Sequence, residues 1–276
     1  MMRNARQPYD FLCNHLVALG GTFNRVNRDG QPTGEFHPFR AAGCILSFRD
    51  EWSWLTAGHI LEEIETNLKD PNIKLMCRLV DTFGPNAVDH NQIPFDYESA
   101  PKVHINDNEA GIDFGLVSLL TLHKQQMEAN HIQPITERDW MGIQNVEFDD
   151  NKHFMLGFTE RFTRYEQSLN PAYIEASIQP MVIPITKLDP PPEEFKTTYP
   201  RFVGKLNDDF PFDDIKGMSG GPIFGFGKKE QDRYWIVAVQ SSWLPDERII
   251  FGCPIQVIAA PIEAFLRSAA NHTGNL

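Results

Sequence analysis

The chain has 276 residues, with 25 Lys+Arg against 37 Asp+Glu and a formal charge of −12. That length fits one large domain or two modest ones with room for a sizeable core, and the acidic balance argues against a nucleic-acid partner, which needs clustered basic residues. The longest weakly polar run, Ile249–Ile262, contains Gln256, Pro254 and Pro261 and falls short of the roughly 18 apolar residues of a membrane span, so no membrane is expected.

Residues 1–36 read as a separate N-terminal extension. Phe11, Leu12, His15, Leu16 and Leu19 recur at helical spacing and Gly20-Gly21 ends the run, which predicts a helix. Its apolar stripe reads first as a helix packed on the domain, with an arm that binds a regulatory protein partner as the alternative. Arg3 and Arg6 precede the stretch in the manner of a signal peptide, but Asn14 and His15 interrupt it and no A-x-A site follows, so a cytoplasmic protein is expected. The cysteines Cys13, Cys44, Cys77 and Cys253 form no C-x-x-C pair and no zinc-ligand spacing. They read as thiols in a reducing compartment.

From Ala41 the texture changes to short strands. Cys44–Phe48, a charged turn at Arg49-Asp50-Glu51 and Trp52–Thr56 predict a hairpin. Ile73–Val80, Val103–Ile105 and Phe114–Leu120 follow as strands, Leu122–Asn130 as a short helix or polar connection, and Pro134–Gly142 as a crossing between domains. A second set of strands begins near Lys152–Phe158 and continues through Tyr173–Ile185, Phe202–Leu206, Pro222–Phe226, Tyr234–Ser241 and Ile249–Ile255. Pro190-Pro191-Pro192 marks a surface loop. A helix closes the chain, with Pro261 suited to its first position and Ile262, Phe265, Leu266, Ala269 and Ala270 on the helical period. Many short strands with one terminal helix favour barrels or sandwiches over an alternating α/β fold.

Three local motifs carry chemistry together. Leu55-Thr56-Ala57-Gly58-His59 follows a strand, Gly111-Ile112-Asp113-Phe114-Gly115-Leu116-Val117 opens an apolar strand with an acid, and Gly217-Met218-Ser219-Gly220-Gly221-Pro222 places a serine in a glycine-rich turn. A serine hydroxyl is a weak nucleophile at neutral pH. It needs an imidazole to take its proton, and the imidazole needs an acid to fix its tautomer. The N–H groups of Gly217 and Ser219 are the candidate donors to a forming oxyanion.

These motifs resemble those of the trypsin-like (chymotrypsin-fold) serine proteases, whose histidine motif is L-T-A-A-H-C, acid motif D-I-A-L-L and serine motif G-D-S-G-G-P. Here they stand as L-T-A-G-H-I, D-F-G-L-V and G-M-S-G-G-P, in the order His59, Asp113, Ser219. Met155-Leu156-Gly157-Phe158 is similar to the strand that opens the family's second barrel, and the likeness covers about residues 38–271. It implies an all-β fold of two antiparallel six-stranded β-barrels, residues 37–140 carrying His59 and Asp113 and residues 141–276 carrying Ser219 and a C-terminal helix. It also implies a serine endopeptidase acting on protein or peptide substrates without a cofactor.

The departures from the family pattern are informative. Cys44 stands where the family often carries half of a disulfide around the histidine, but Ile60 holds the partner's place, so an unpaired core thiol is expected. Met218 replaces the aspartate that pairs with a new N-terminus in secreted members, so zymogen activation is not expected. Asp213 occupies the place of the acid at the pocket base in enzymes that cleave after Lys or Arg, and Gly252 that of a glycine that keeps the pocket open. Asp208, Asp209, Asp213 and Asp214 also read as a solvated acidic loop. The strand Val239-Gln240-Ser241-Ser242 is expected to pair with an extended substrate.

Other classes fit less well. The α/β-hydrolase elbow G-x-S-x-G needs a helix after the serine and a histidine late in the chain; Pro222-Ile223-Phe224-Gly225 is a poor helix start and only His272 follows. The alternative that stays open is a protease-fold module, weak or inactive as an enzyme, that binds peptides or protein partners. Gly227-Lys228-Lys229 is no phosphate loop, and the remaining histidines show no paired spacing, so no metal is expected.

Overall fold

Short β-branched and aromatic runs broken by turn residues make this chain mostly β. The structure, a computed structural model, describes residues 9–85, 87–88, 92–167, 174–208, 210–211, 214–230 and 233–273. A 3₁₀ turn at Asp10–His15 precedes β1 (Ala18–Val26) and β2 (Pro32–Ala41). Then come β3 (Cys44–Phe48), β4 (Glu51–Thr56), helix α1 (Gly58–Leu68), β5 (Ile73–Val80), β6 (Ile93–Phe95), β7 (Lys102–Asp107) and β8 (Ile112–Ser118). Helices α2 (Thr121–Ala129) and α3 (Glu137–Trp140) lead to the second half. It comprises β9 (Phe148–Phe158), β10 (Arg164–Gln167), β11 (Ile174–Ser177), β12 (Pro180–Lys187), β13 (Phe202–Leu206), β14 (Pro222–Gly227), β15 (Tyr234–Leu244) and β16 (Ile249–Pro254), and ends in α4 (Ile255–Thr273). The hairpin expected at Arg49-Asp50 forms: these residues take φ of 50° and 70°, the two left-handed positions of a type I′ turn.

The second half closes as the expected barrel, in the order β12-β13-β16-β15-β14-β9, all antiparallel. The first half shows no closed ladder among the described residues, so of the two expected barrels the structure shows one. The first half consists of two four-stranded sheets, β2-β1-β5-β6 and β3-β4-β8-β7. They meet at a corner, where Leu16 bridges Cys44 and Val17 N–H donates to Gly43 O at 2.9 Å. Closure needs a continuous ladder, and among the described residues β2 and β6 each have a single hydrogen-bonded neighbour. Both strands are therefore edges.

The N-terminal helical extension is also corrected. Among the described residues it holds one 3₁₀ turn, and Ala18–Val26 is a strand hydrogen-bonded to β2 on one side and β5 on the other. Leu12, Leu16 and Leu19 are fully buried, so the spacing that imitates a helical stripe serves a turn running into a strand. Gly21 lies where β5 approaches most closely: a Cβ there would stand 2.3 Å from Met76 O. The terminal helix starts earlier than expected, at Ile255, with Pro261 inside it. Ile255, Ile258 and Ile262 are fully buried at helical spacing, and this packing holds the helix across the N–H that Pro261 lacks. α1 is a helix the sequence reading missed, although Leu61 and Ile64 supply its buried side.

A shared core joins the halves. Phe114, Leu116, Leu55 and Cys44 of the sheets pack with Val239, Cys253, Ile255 and Ile258 of the barrel and α4. No helix among the described residues is long and apolar enough to cross a membrane.

Candidate active site

The chain leaves β4 at Thr56 and enters α1 at Gly58, a sharp turn that a side chain would block. A Cβ on Gly58 would lie 2.0 Å from Ile105 O and 2.7 Å from Phe114 O. Buried Thr56 donates its hydroxyl to Ala42 O at 2.7 Å, which ties the end of β4 to the start of β3. His59 thus stands in the first turn of α1, beside the N-terminal end of β8. Asp113, the second residue of β8, reaches it with both oxygens. Oδ2 accepts from His59 Nδ1 at 2.7 Å, and Oδ1 accepts the His59 backbone N–H at 2.9 Å.

One carboxylate therefore orients the ring and satisfies an orphan N–H of the helix start, where negative charge is favoured. Because a carboxylate only accepts, Nδ1 carries the proton and Nε2 is left as the basic nitrogen. The Asp113 side chain is 5% exposed and that of His59 33%, so the acid is dry and the ring keeps a solvent side. Burial alone would lower the His59 pKa, but the hydrogen bond and charge of Asp113, aided by Glu63 and Glu62, outweigh it. The net pKa stands above the ordinary histidine value.

Ser219 lies in the turn that enters β14. Gly220, at φ 84°, is pressed onto the histidine segment: a Cβ there would lie 2.1 Å from Thr56 Oγ1, 2.4 Å from Ala42 O and 2.9 Å from Ile60 Cδ1. The N–H groups of Met218, Gly220 and Gly221 are used, by Ile215 O at 3.1 Å, Gln240 O at 2.9 Å and Met218 O at 3.0 Å. Among the described residues no acceptor takes the N–H of Gly217 or of Ser219. Lys216 O accepts from Glu160 N–H at 2.8 Å; since a trans peptide sets C=O and N–H on opposite sides, the Gly217 N–H faces away from Glu160. Met218, fully buried, anchors the turn in the barrel core.

The structure thus joins His59 to Asp113 and lays the Ser219 turn against them, but it does not join Ser219 to His59 by a hydrogen bond. The Ser219 hydroxyl donates to Ser241 O at 3.2 Å. Asp213 lies outside the described residues. Its neighbour Asp214 is a turn residue whose Oδ1 accepts Lys216 N–H at 2.7 Å. Gly252 sits in β16 opposite Gln240, where a Cβ would stand 2.9 Å from Val239 O and 3.1 Å from Ile223 Cδ1; close packing of the barrel is what requires a glycine there.

No protein-family model matches this chain, and no curated protein does. Among solved structures it is similar to the serine endoprotease from Yersinia pestis, with a TM-score of 0.50 and 12% identity over 96% of this chain and 68% of that one. The fold resembles that of serine proteases. A thermostable serine protease, AL20, from an extremophilic microorganism gives a TM-score of 0.44 and 11% identity over 88% of this chain and 92% of that one.

Within this protease-like fold, one residue beside the site has no sequence signal. The Arg40 guanidinium fills the space next to Gly217, where a Cβ would lie 2.9 Å from Nη1 and 3.0 Å from Nη2. Its place depends on strand β2 reaching the serine turn, which no local pattern around Arg40 announces.

Proposed function

We propose that this chain is a serine endopeptidase of trypsin-like type. The observation that carries the reading is the two-point hold of Asp113 on His59, with the serine turn packed onto the same segment. In the proposed mechanism His59 Nε2 takes the Ser219 proton as Oγ attacks the scissile carbonyl. The unclaimed N–H groups of Gly217 and Ser219 stabilise the oxyanion, each such donor being worth on the order of 10²–10³ in rate. Collapse breaks the C–N bond as His59 returns the proton to the leaving amine, and water releases the acyl group by the reverse roles. The free edge of β15 beyond Gln240 pairs with the acyl side of the substrate.

A preference for cleavage after Lys or Arg rests on the place of Asp213 in the serine motif. Four buried cysteines without disulfides support a reducing compartment, in keeping with a cytoplasmic protein. A second reading is an inactive peptide-binding module, favoured by the Ser219 hydroxyl being bonded to Ser241 O and not to His59. A fluorophosphonate probe separates the two. Labelling of the wild type that disappears in Ser219→Ala and His59→Gln supports the peptidase; no labelling, with no cleavage of a proteome-derived peptide library, leaves the binding module.

A further inference from the structure

Beside the serine turn the structure holds a cation, Arg40, that makes no ion pair among the described residues. Arg40 Nε donates to Thr163 Oγ1, but Nη2 is buried and has no hydrogen-bond partner among the described residues. Glu160, whose charge reaches the guanidinium, is paired with Lys216 at 3.2 Å. A buried guanidinium nitrogen left this way is costly unless something supplies the acceptor.

Arg40 also lines a cavity of about 760 Å³ over the outer face of the β2-β1-β5-β6 sheet. The register explains its floor. Arg40 stands opposite Gly20, Gly20 opposite Arg78, and Arg78 opposite Pro94, so two arginines flank a bare stretch of backbone. Nothing lies within 4 Å of the point where a side chain on Gly20 would begin. Tyr165 of β10 and Ile178 after β11 complete the wall. The acids of this cavity, Asp96 and Glu98, follow β6 at the opposite edge of the sheet, and Asp96 accepts the Ser99 N–H at 3.2 Å. The cavity therefore has one cation beside the serine turn, a second on β5 across the Gly20 floor, and acids beyond β6 at its far edge.

We propose that this cavity receives the part of a peptide substrate that follows the scissile bond, and that Arg40 and Arg78 select acidic side chains there. The proposal rests on Ser219 being the nucleophile. If the acyl side lies along β15, next to Ser241, the leaving side continues over Gly217 towards Arg40. A carboxylate arriving there meets the side of the Arg40 guanidinium that lines the cavity, in a partly dry site where charge-assisted hydrogen bonds are strongest. Arg78 is exposed and catches the next acid across the Gly20 floor.

The test uses full-length wild type, Ser219→Ala, Arg40→Gln, Arg40→Lys and Arg78→Gln. Cleavage sites are profiled in a proteome-derived library, and Ser219→Ala is titrated by fluorescence anisotropy with peptide pools carrying Asp-Asp or Asn-Asn pairs. Acids should be enriched about tenfold just after the cleaved bond, the size of one charge-assisted hydrogen bond. Arg40→Gln should abolish the enrichment, Arg78→Gln should reduce it at one further position, and Arg40→Lys should retain part of it, which also reports an intact fold. No acid enrichment in wild type, or enrichment that survives both glutamine substitutions, overturns the selectivity. Absent fluorophosphonate labelling, with arginine-dependent preference for the Asp-Asp pool retained, instead overturns the nucleophile and leaves the cavity an acidic-peptide site.

Discussion

Asp113→Asn changes two contacts of opposite tolerance. The amide oxygen can still accept the His59 backbone N–H, the 2.9 Å bond that holds the start of α1, so the fold should survive. The other position changes from an acceptor to an NH₂ donor facing Nδ1 across what is now a 2.7 Å hydrogen bond. The ring must present a lone pair there, so its proton moves to Nε2 and the nitrogen aimed at substrate chemistry can no longer take one. The rate of fluorophosphonate labelling should fall by about 10⁴, the size the same exchange produces in the trypsin-like triad from which these roles are borrowed.

A second signature needs no catalysis. The His59 pKa is the outcome of burial, which lowers it, against Asp113, Glu63 and Glu62, which raise it. Removing the Asp113 charge leaves burial dominant, so the pKa should cross from above the ordinary histidine value to below it. NMR titration of His59, assigned by comparison with His59→Gln, reads this directly. The acid limb of labelling in wild type should follow the same elevated pKa. An unchanged labelling rate, or a His59 pKa that stays elevated in Asp113→Asn, would refute the reasoning.

Gly220→Ala should destabilise the protein by about 3 kcal/mol, because its Cβ meets Thr56 Oγ1 at 2.1 Å at a positive φ; a melting temperature within 2 °C of wild type would contradict this. His153 is buried and its pKa is lowered to about 4 by desolvation. The unfolded chain therefore binds the extra proton between the ordinary histidine value and pH 4, and stability present near neutrality is lost as pH falls through that window. From pH 7 to pH 5 this amounts to about 2 kcal/mol, so urea unfolding of His153→Phe should lose that much less than wild type. Burial pushes the Cys13 and Cys253 thiols up to about 12 and Cys77 to about 11, and raises Cys44 as well. Iodoacetamide at pH 8 should modify none of the four in the native protein and all of them in guanidinium, read by intact mass.

The candidate site was legible because its geometry is built from short local segments: a strand end with Gly58 before His59, an acid at the head of β8, and glycines around Ser219. Each segment needs unusual backbone or an isolated polar group in an apolar run, and both leave marks in the sequence. Barrel closure leaves weaker marks. The two halves have the same strand texture, prolines included (Pro32, Pro38 and Pro94 in the first, Pro180, Pro184, Pro222 and Pro254 in the closed barrel), so closure rests on pairings between distant strands that no local pattern announces. The Leu12–Leu19 stripe shows the limit of period counting. Spacings of four and three residues suit a helix, yet here they serve a turn followed by a strand, because β5 supplies a partner ladder that only the tertiary fold provides. Arg40 was illegible for the same reason, since its meaning comes from Gly217, far along the chain.

The two halves share one apolar core, which bears on how the proposed triad would work. Asp113 sits 4% exposed at the point where β8 meets β16, with the Cys253 thiol buried beside it. Ser219 is held on the other side by Gly220 against Thr56 and Ala42. Both groups are held by segments that border the core shared by Phe114, Leu116, Val239 and Ile255. The mobile element is then the Ser219 hydroxyl itself. Its bond to Ser241 O at 3.2 Å is a neutral one, worth about 1 kcal/mol net, small beside the 8 kcal/mol or more that an enzyme of even modest power removes from its barrier, roughly. A substrate strand that claims Ser241 O for its own backbone N–H would free the hydroxyl at the moment it delivers the carbonyl. On the proposed reading, substrate binding along β15 and arming of the nucleophile are one event, and a non-hydrolysed peptide bound to that edge should speed the reaction of Ser219 with a small probe only where it leaves the oxyanion donors open.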